Sequence, residues 1–341
     1  MTIGVITIFD VPNYGALLQA YSLCQFLKAQ GHEVILFRIP FQQNENKWIY
    51  KMKHKFFPLF KWNFIRKYLP NYTENLSTKV DMYIVGSDQV WNYDIVGKSL
   101  FNYMLDFAPD NAVRASYASS FGEEKWRFHD IQEKVKNLLS KFKILTVREK
   151  SAVSLLKNEF GLHAINVLDP CFLLPLSDKL YPKYNELNKT LVVFKLTPTN
   201  SWKEEISMLA SKLDVSLVEI NPQKRIKKIG YLMGINFKYI TIQKWLKSIA
   251  TSKYFITDSF HGCVWAIRLQ KQFVVVKGIE SRMTRLYSLL ESLDLTDRIV
   301  ANMEGAYRKL YFEKIDYNLV QCHLSKLESN SKSFLLDILN S

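Results

Sequence analysis

The sequence predicts an α/β protein of two Rossmann-like domains facing a cleft. Three observations predict it. The chain opens as strand, polar turn, helix and strand; the same alternation restarts near residue 190; and the polar turns of both halves follow directly on short apolar runs. The 341 residues also exceed what one hydrophobic core commonly organises. Hydrophobic residues at 48% and aromatics at 14% suffice for sizeable cores, and only 12 Gly and 10 Pro leave no low-complexity linker.

Residues 3–9 read as the first strand, and Asp10 to Ala16 form a turn rich in breakers. An amphipathic helix follows over about 17–30, Gly31 stops it, and 33–39 is the second strand. A turn after a parallel strand lies at the carboxyl edge of the sheet, where open α/β sheets bind ligands. Asn13 and Tyr14 are therefore candidate binding residues; the alternative is a tight turn that needs Gly15. The turn is not GxGxxG and no acidic residue takes the ribose position, so dinucleotide binding is not assigned.

Residues 47–72 change character. Lys47, Lys51, Lys53, Lys55, Lys61, Arg66 and Lys67 alternate with Trp48, Tyr50, Phe56, Phe57, Phe60, Trp62, Phe64 and Tyr68, and no acidic residue occurs between Glu45 and Glu74. This mixture suits an anionic membrane surface. It also fits stacking on single-stranded nucleic acid, which is the less favoured partner, or a helix with rings inside and a solvated basic face.

Met82 to Val85 is a strand running into Gly86-Ser87-Asp88-Gln89-Val90-Trp91-Asn92. Asp88 is a candidate base for a sugar hydroxyl, and Ser87, Gln89 and Asn92 offer a hydroxyl and two amides. Residues 115–122 read as a strand of small residues ending at Gly122, which a ligand or backbone can approach closely. A helix over 126–141, a strand over 144–147 and a helix over 149–157 follow. Arg148, at the end of its strand, is placed to clamp a carboxylate or phosphate, or to form an interface salt bridge. A short strand over 166–168 leads into Asp169-Pro170-Cys171, and the polar stretch after 174 marks a domain boundary. The domains expected are 1–175, 176–323, and a C-terminal helix over 324–341 packing across their junction.

The second half runs as strand 190–195, helix 201–213, strand 215–220, a basic turn at 224–228, and helix 242–251. Its centre is Tyr254-Phe255-Ile256-Thr257-Asp258-Ser259-Phe260-His261-Gly262, a buried strand ending in N-cap residues and opening a helix. Helix N-terminal N–H groups favour an anion, and His261 in that first turn can donate a proton or contact phosphate; the alternative is a structural histidine. Asp258 and Ser259 line the same turn. After a strand over 273–276, Arg282 and Arg285 bring two guanidiniums close together before a helix over 286–293.

The net charge of +14 favours acidic partners: nucleic acid, an anionic membrane or phosphorylated substrates. Cys24, Cys171, Cys263 and Cys322 show no CxxC spacing and read as reduced core residues, not as a metal site or disulfide frame, so no metal is expected. No export signal or apolar span is read, and a cytoplasmic location is expected.

Six stretches occur in a telling order: Asn13-Tyr14-Gly15-Ala16, Val85 to Asn92, Tyr117-Ala118-Ser119-Ser120-Phe121-Gly122, Val147-Arg148-Glu149-Lys150-Ser151, Asp169-Pro170 and Thr257 to Gly262. Together they resemble the bacterial polysaccharide pyruvyl transferase family over roughly residues 1–300. The resemblance implies an architecture similar to the two-domain glycosyltransferase-B fold. It also implies transfer of pyruvate from phosphoenolpyruvate onto two hydroxyls of one sugar as a cyclic ketal, with no cofactor. The acceptor would belong to cell-surface polysaccharide synthesis, in some members undecaprenyl-linked at the inner membrane face. By resemblance Arg148 and His261 grip phosphoenolpyruvate, His261 acts as acid, Asp88 deprotonates a hydroxyl, and Asn13 and Tyr14 line the site. Family members carry an Arg two residues before this His; here it is Ser259, so Arg282 or Arg285 must supply the second guanidinium. A nucleotide-sugar glycosyltransferase and a non-catalytic binder of anionic polymer or membrane are the alternatives.

Overall fold

The computed structural model describes residues 1–11, 13–39, 59–176, 180, 186–221, 223–225, 236–238, 240–278 and 280–340, without the side chains of 59, 60, 62, 223–225, 236–238 and 280–282. Residues 47–58 of the basic aromatic segment, most of the basic turn at 224–228 and the Arg282 side chain lie outside the described set.

β1 (Thr2–Ile6) is apolar almost throughout, with Ile3, Val5 and Ile6 fully buried, as a central strand covered on both faces must be. It pairs in parallel with β2 (Glu33–Phe37) and β4 (Met82–Val85); β3 (Tyr72–Thr73) and β5 (Val113–Ser116) complete the order β3-β2-β1-β4-β5. The crossover from β1 to β2 is α1 (Tyr14–Ala29), and α2 (Leu59–Tyr68) precedes β3. Of the basic aromatic segment, Phe64 and Tyr68 set their rings against Tyr21 of α1, so these two serve the core and not a surface. The strand order reverses between β1 and β4, which makes their carboxyl ends the switch point where such sheets hold ligands.

Residues 115–122 do not form one strand. Left-handed backbone at Ala118, φ 56°, ends the ladder after Ser116. The following residues run as a separate lane, with Ser120 N donating to Asp88 O at 3.1 Å and Arg148 N to Ser119 O at 3.1 Å. Two single-turn helices, α3 (Tyr93–Val96) and α4 (Leu100–Tyr103), lie between β4 and β5. The helix expected over 126–141 shortens to α5 (Gln132–Leu139), because Trp126 is buried against Phe121 and Phe160 outside it. β6 (Thr146–Val147) pairs in parallel with β7 (Ile165–Asn166) around α6 (Lys150–Phe160).

The second sheet, also parallel, joins β8 (Asn188–Phe194), β9 (Ser216–Glu219), β12 (Ser252–Thr257), β13 (Gln272–Val276) and β14 (Ile299–Val300) in the order β14-β13-β12-β8-β9. β10 (Gln223–Arg225) and β11 (Asn236–Lys238) form an antiparallel pair apart from it. α7 (Trp202–Lys212) crosses from β8 to β9. α8 (Ile242–Thr251) buries Ile242, Trp245, Leu246 and Ile249, a spacing that sets one helical face on the core. α9 (Phe260–Arg268), α10 (Glu280–Ser292) and α11 (Met303–Tyr311) follow their strands, and α12 (Tyr317–Leu339) ends the chain. Here the order reverses between β8 and β12.

Contacts group the described residues into two compact units, one within Met1–Lys47, Phe64–Leu174 and His323–Ser341, the other within Trp48–Asn63 and Pro175–Cys322. Each holds one Rossmann-like sheet. Cys24, Cys171 and Cys263 are buried and in no disulfide, as the sequence predicts, whereas Cys322 is exposed on α12. No described helix is long and apolar enough to cross a membrane.

The last turns of α12 belong to the first unit, where Ser331 Oγ, 3% exposed, accepts from Leu168 N at 3.0 Å. Ser331→Ala should strand that buried N–H and cost about 1–3 kcal/mol. Urea unfolding measures it, and an unchanged midpoint would refute the anchor.

Candidate functional site

The first unit gathers its polar residues at the β1/β4 switch point. Thr7 Oγ1, at the end of β1, donates to Ser87 O at 2.7 Å and accepts from Gln19 Nε2 at 2.9 Å, joining the loop after β4 to α1. Asp88 follows in left-handed backbone, φ 77°, a strained conformation for a residue with a Cβ. Its Oδ1 accepts from Gln89 N at 2.9 Å, while its carbonyl receives Ser120 N. Surrounding bonds thus hold the strain in place.

Arg148 lies at the centre of this edge. Its Nη1 donates to Asp169 Oδ2 at 3.0 Å and to Ser87 Oγ at 3.2 Å, and its Nη2 stands 3.7 Å from Asp88 Oδ1. Ser87 Oγ in turn donates to Asp169 Oδ2 at 2.9 Å. Burial opposes the guanidinium charge, but Asp169, Asp88 and Glu149 outweigh it and raise the Arg148 pKa above its ordinary value. The side chain is 1% exposed. Arg148, expected from the sequence to grip a ligand, is paired here with carboxylates of its own unit. In the sequence Asp169 stood out only through the Asp169-Pro170 stretch of the family resemblance; here its Oδ1 also accepts from Cys171 N at 3.0 Å and caps the short turn that follows.

Of the other expected residues here, Asn13 caps α1 through Gly15 N at 2.9 Å, and Tyr14 is buried in that helix's first turn. Asn92 donates to Phe121 O at 2.7 Å and accepts from Ile95 N at 3.2 Å, so both ends of its amide serve the fold. Gln89 differs: it is half-buried, and its side chain makes no hydrogen bond among the described residues.

The second unit builds its edge at the β8/β12 switch point. Asp258 accepts from Leu196 N at 2.6 Å, Thr197 N at 3.0 Å and Thr197 Oγ1 at 2.6 Å, pinning the loop after β8. Lys195 Nζ stands 3.5 Å from the same carboxylate and 4.8 Å from the Trp202 ring centroid. Sequence reading passed over Lys195, although it ends its strand just as Arg148 does. Ser259 caps α9, accepting from Gly262 N at 3.4 Å. A Cβ on Gly262 would lie 2.4 Å from Thr257 Oγ1, so only glycine lets α9 start this close to β12.

His261 is 6% exposed in that first turn, with the Phe260 ring edge-on at 5.3 Å. From α10 the Arg285 guanidinium reaches within 5.9 Å of the Phe260 ring centroid. Lys195 thus lies against Asp258 and Arg285 against Phe260, on residues that flank His261 at the start of α9, and a helix N-terminus favours an anion. Burial pushes the Cys263 thiol up, so it is no thiolate nucleophile.

Residues 13–278 match the family model described as polysaccharide pyruvyl transferase. The chain belongs to the polysaccharide pyruvyl transferase family. It is thereby placed among transferases of polysaccharide biosynthesis. No curated protein matches it in sequence.

Among solved structures, it is similar to a UDP-N-acetylglucosamine 2-epimerase from Rickettsia bellii, with TM-score 0.54, 13% identity, and 99% of this chain and 96% of that one covered. A UDP-GlcNAc 2-epimerase from Neisseria meningitidis gives TM-score 0.53 at 10% identity over 99% of each chain. The glycotransferase of kitacinnamycin gives 0.52 at 11%, covering 97% of this chain and 95% of that one. At such identities the likeness shows the fold alone: the chain has two Rossmann-like units of the glycosyltransferase-B kind.

Two stability predictions rest on the buried charges of the two units. Arg148→Ala should cost about 3–5 kcal/mol by leaving Asp169 and Asp88 uncompensated, and Asp169→Asn in the same chain should recover part of it. Asp258→Ala should cost a similar amount by orphaning Leu196 N, Thr197 N and the Lys195 charge. Chemical denaturation checks both; a loss under about 1 kcal/mol in either variant would contradict the corresponding network.

Proposed function

We propose that the protein transfers pyruvate from phosphoenolpyruvate onto two hydroxyls of one sugar, closing a cyclic ketal in cell-surface polysaccharide synthesis. The supporting observation is that Lys195 pairs with Asp258 and Arg285 reaches the Phe260 ring, so both cations flank the residues next to His261 at the start of α9. The donor carries a carboxylate and a phosphate, so it calls for several preorganised cationic donors in one place. His261 gives a proton to C3 of the enolpyruvate and leaves oxocarbenium character at C2. A sugar hydroxyl bonds to C2, the phosphate oxygen leaves, and the second hydroxyl closes the ring. Of the two hydroxyl protons, one replaces that given to C3 and the other departs with phosphate.

Arg285 takes the part of the guanidinium that Ser259 lacks, with its planar fork suited to the carboxylate. Lys195 serves the phosphate as a point charge. On the acceptor side Asp88 is the base for a hydroxyl. A lipid-linked acceptor at the cytoplasmic membrane face accords with the lysines and rings of 47–72.

Thermal unfolding tests the donor. Phosphoenolpyruvate at about a hundred times its dissociation constant should add roughly 2.7 kcal/mol of stability to wild type. His261→Ala and Arg285→Ala should each lose that shift, and uridine diphosphate should give none. A shift kept in His261→Ala, or one produced by uridine diphosphate, would overturn the reading.

A further inference from the structure

Gln89 is the one expected site residue of the first unit whose side chain the fold does not use. It stands beside the β1/β4 switch point, half-buried and without a side-chain hydrogen bond among the described residues. Yet its pose is tightly constrained. Strained Asp88 precedes it, and Trp91 N, two residues on, donates to Ser120 O at 3.2 Å. Across that lane lies Gly122 in left-handed backbone, φ 67°. A Cβ at Gly122 would fall 1.9 Å from Gln89 Nε2 and 2.9 Å from its amide carbon, so the amide occupies the space a side chain would take. The turn is itself held. Glu149, fully buried, accepts with Oε1 from Gly122 N at 3.0 Å and from Ser120 Oγ at 2.8 Å.

An amide without a side-chain hydrogen bond among the described residues, seated at the ligand edge of a sheet, presents an NH2 donor group and a carbonyl acceptor side by side. Neighbouring hydroxyls of a sugar ring, each both donor and acceptor, complement that pair. We infer that Gln89 reads the acceptor diol, and that Gly122, held by Glu149, is the positioning residue that sets its pose. This inference rests on the acceptor side of the proposed function and names the chemistry read there. Flexible long side chains lose rotamer freedom when they bind; seating Gln89 on Gly122 removes that freedom beforehand.

Saturation-transfer NMR on the full chain tests it, with methyl glucoside and methyl galactoside as probes and their benzylidene acetals, in which a hydroxyl pair is blocked, as controls. Wild type should transfer saturation to the free glycosides and not to the acetals. Gln89→Ala and Gly122→Ala should each weaken the transfer at least tenfold, the second because its Cβ displaces the amide. Gly122→Ala should also lower the melting temperature, and adding Gln89→Ala should restore part of it without restoring sugar contact. Unchanged transfer in Gln89→Ala overturns the inference, as does a wild type that contacts neither free glycoside. Sugar contact without a phosphoenolpyruvate shift in wild type would sink the donor reading alone; the shift without sugar contact would sink this inference alone.

Discussion

A buried charge must find an opposite charge, and the first unit is arranged about that demand. Arg148 reaches Asp169 and Asp88, and Ser87 bridges the first of these, so four residues from three separate stretches meet at one guanidinium. In a site of low exposure such a network is costly when one partner is missing, and this makes it a specifier of geometry more than a source of net stability. The left-handed Asp88 is the visible consequence: backbone strain persists only where neighbouring bonds over-determine it.

The second unit meets the same demand with the signs exchanged. There a carboxylate, Asp258, collects backbone N–H groups, a hydroxyl and an ammonium from the loop after β8. In both units a charged residue singled out in the sequence also fastens the neighbouring strand's loop. Next to these fasteners stand Gln89, beside Asp88 in one unit, and His261 and Arg285, each against Phe260 in the other.

Much of this was legible beforehand. Strand–turn–helix punctuation located both sheets, and the ligand edges followed, because a parallel strand ends at its carboxyl edge whatever its partners. Residues 115–122 and 126–141 were less legible. Their composition suits regular structure, but left-handed Ala118 and the burial of Trp126 are decided by neighbours distant in sequence.

By itself the sequence determined the α/β class, the two Rossmann-like halves, the family and the turns at which polar residues collect. These depend on local periodicity and on motifs contiguous along the chain. Only the tertiary structure decided which polar side chains pair with one another. Arg148 and Asp169 pair across 21 residues, and Asp258 and Lys195 across 63. A charge's role depends on what lies within a few ångströms of it, and no local pattern in the sequence records that distance.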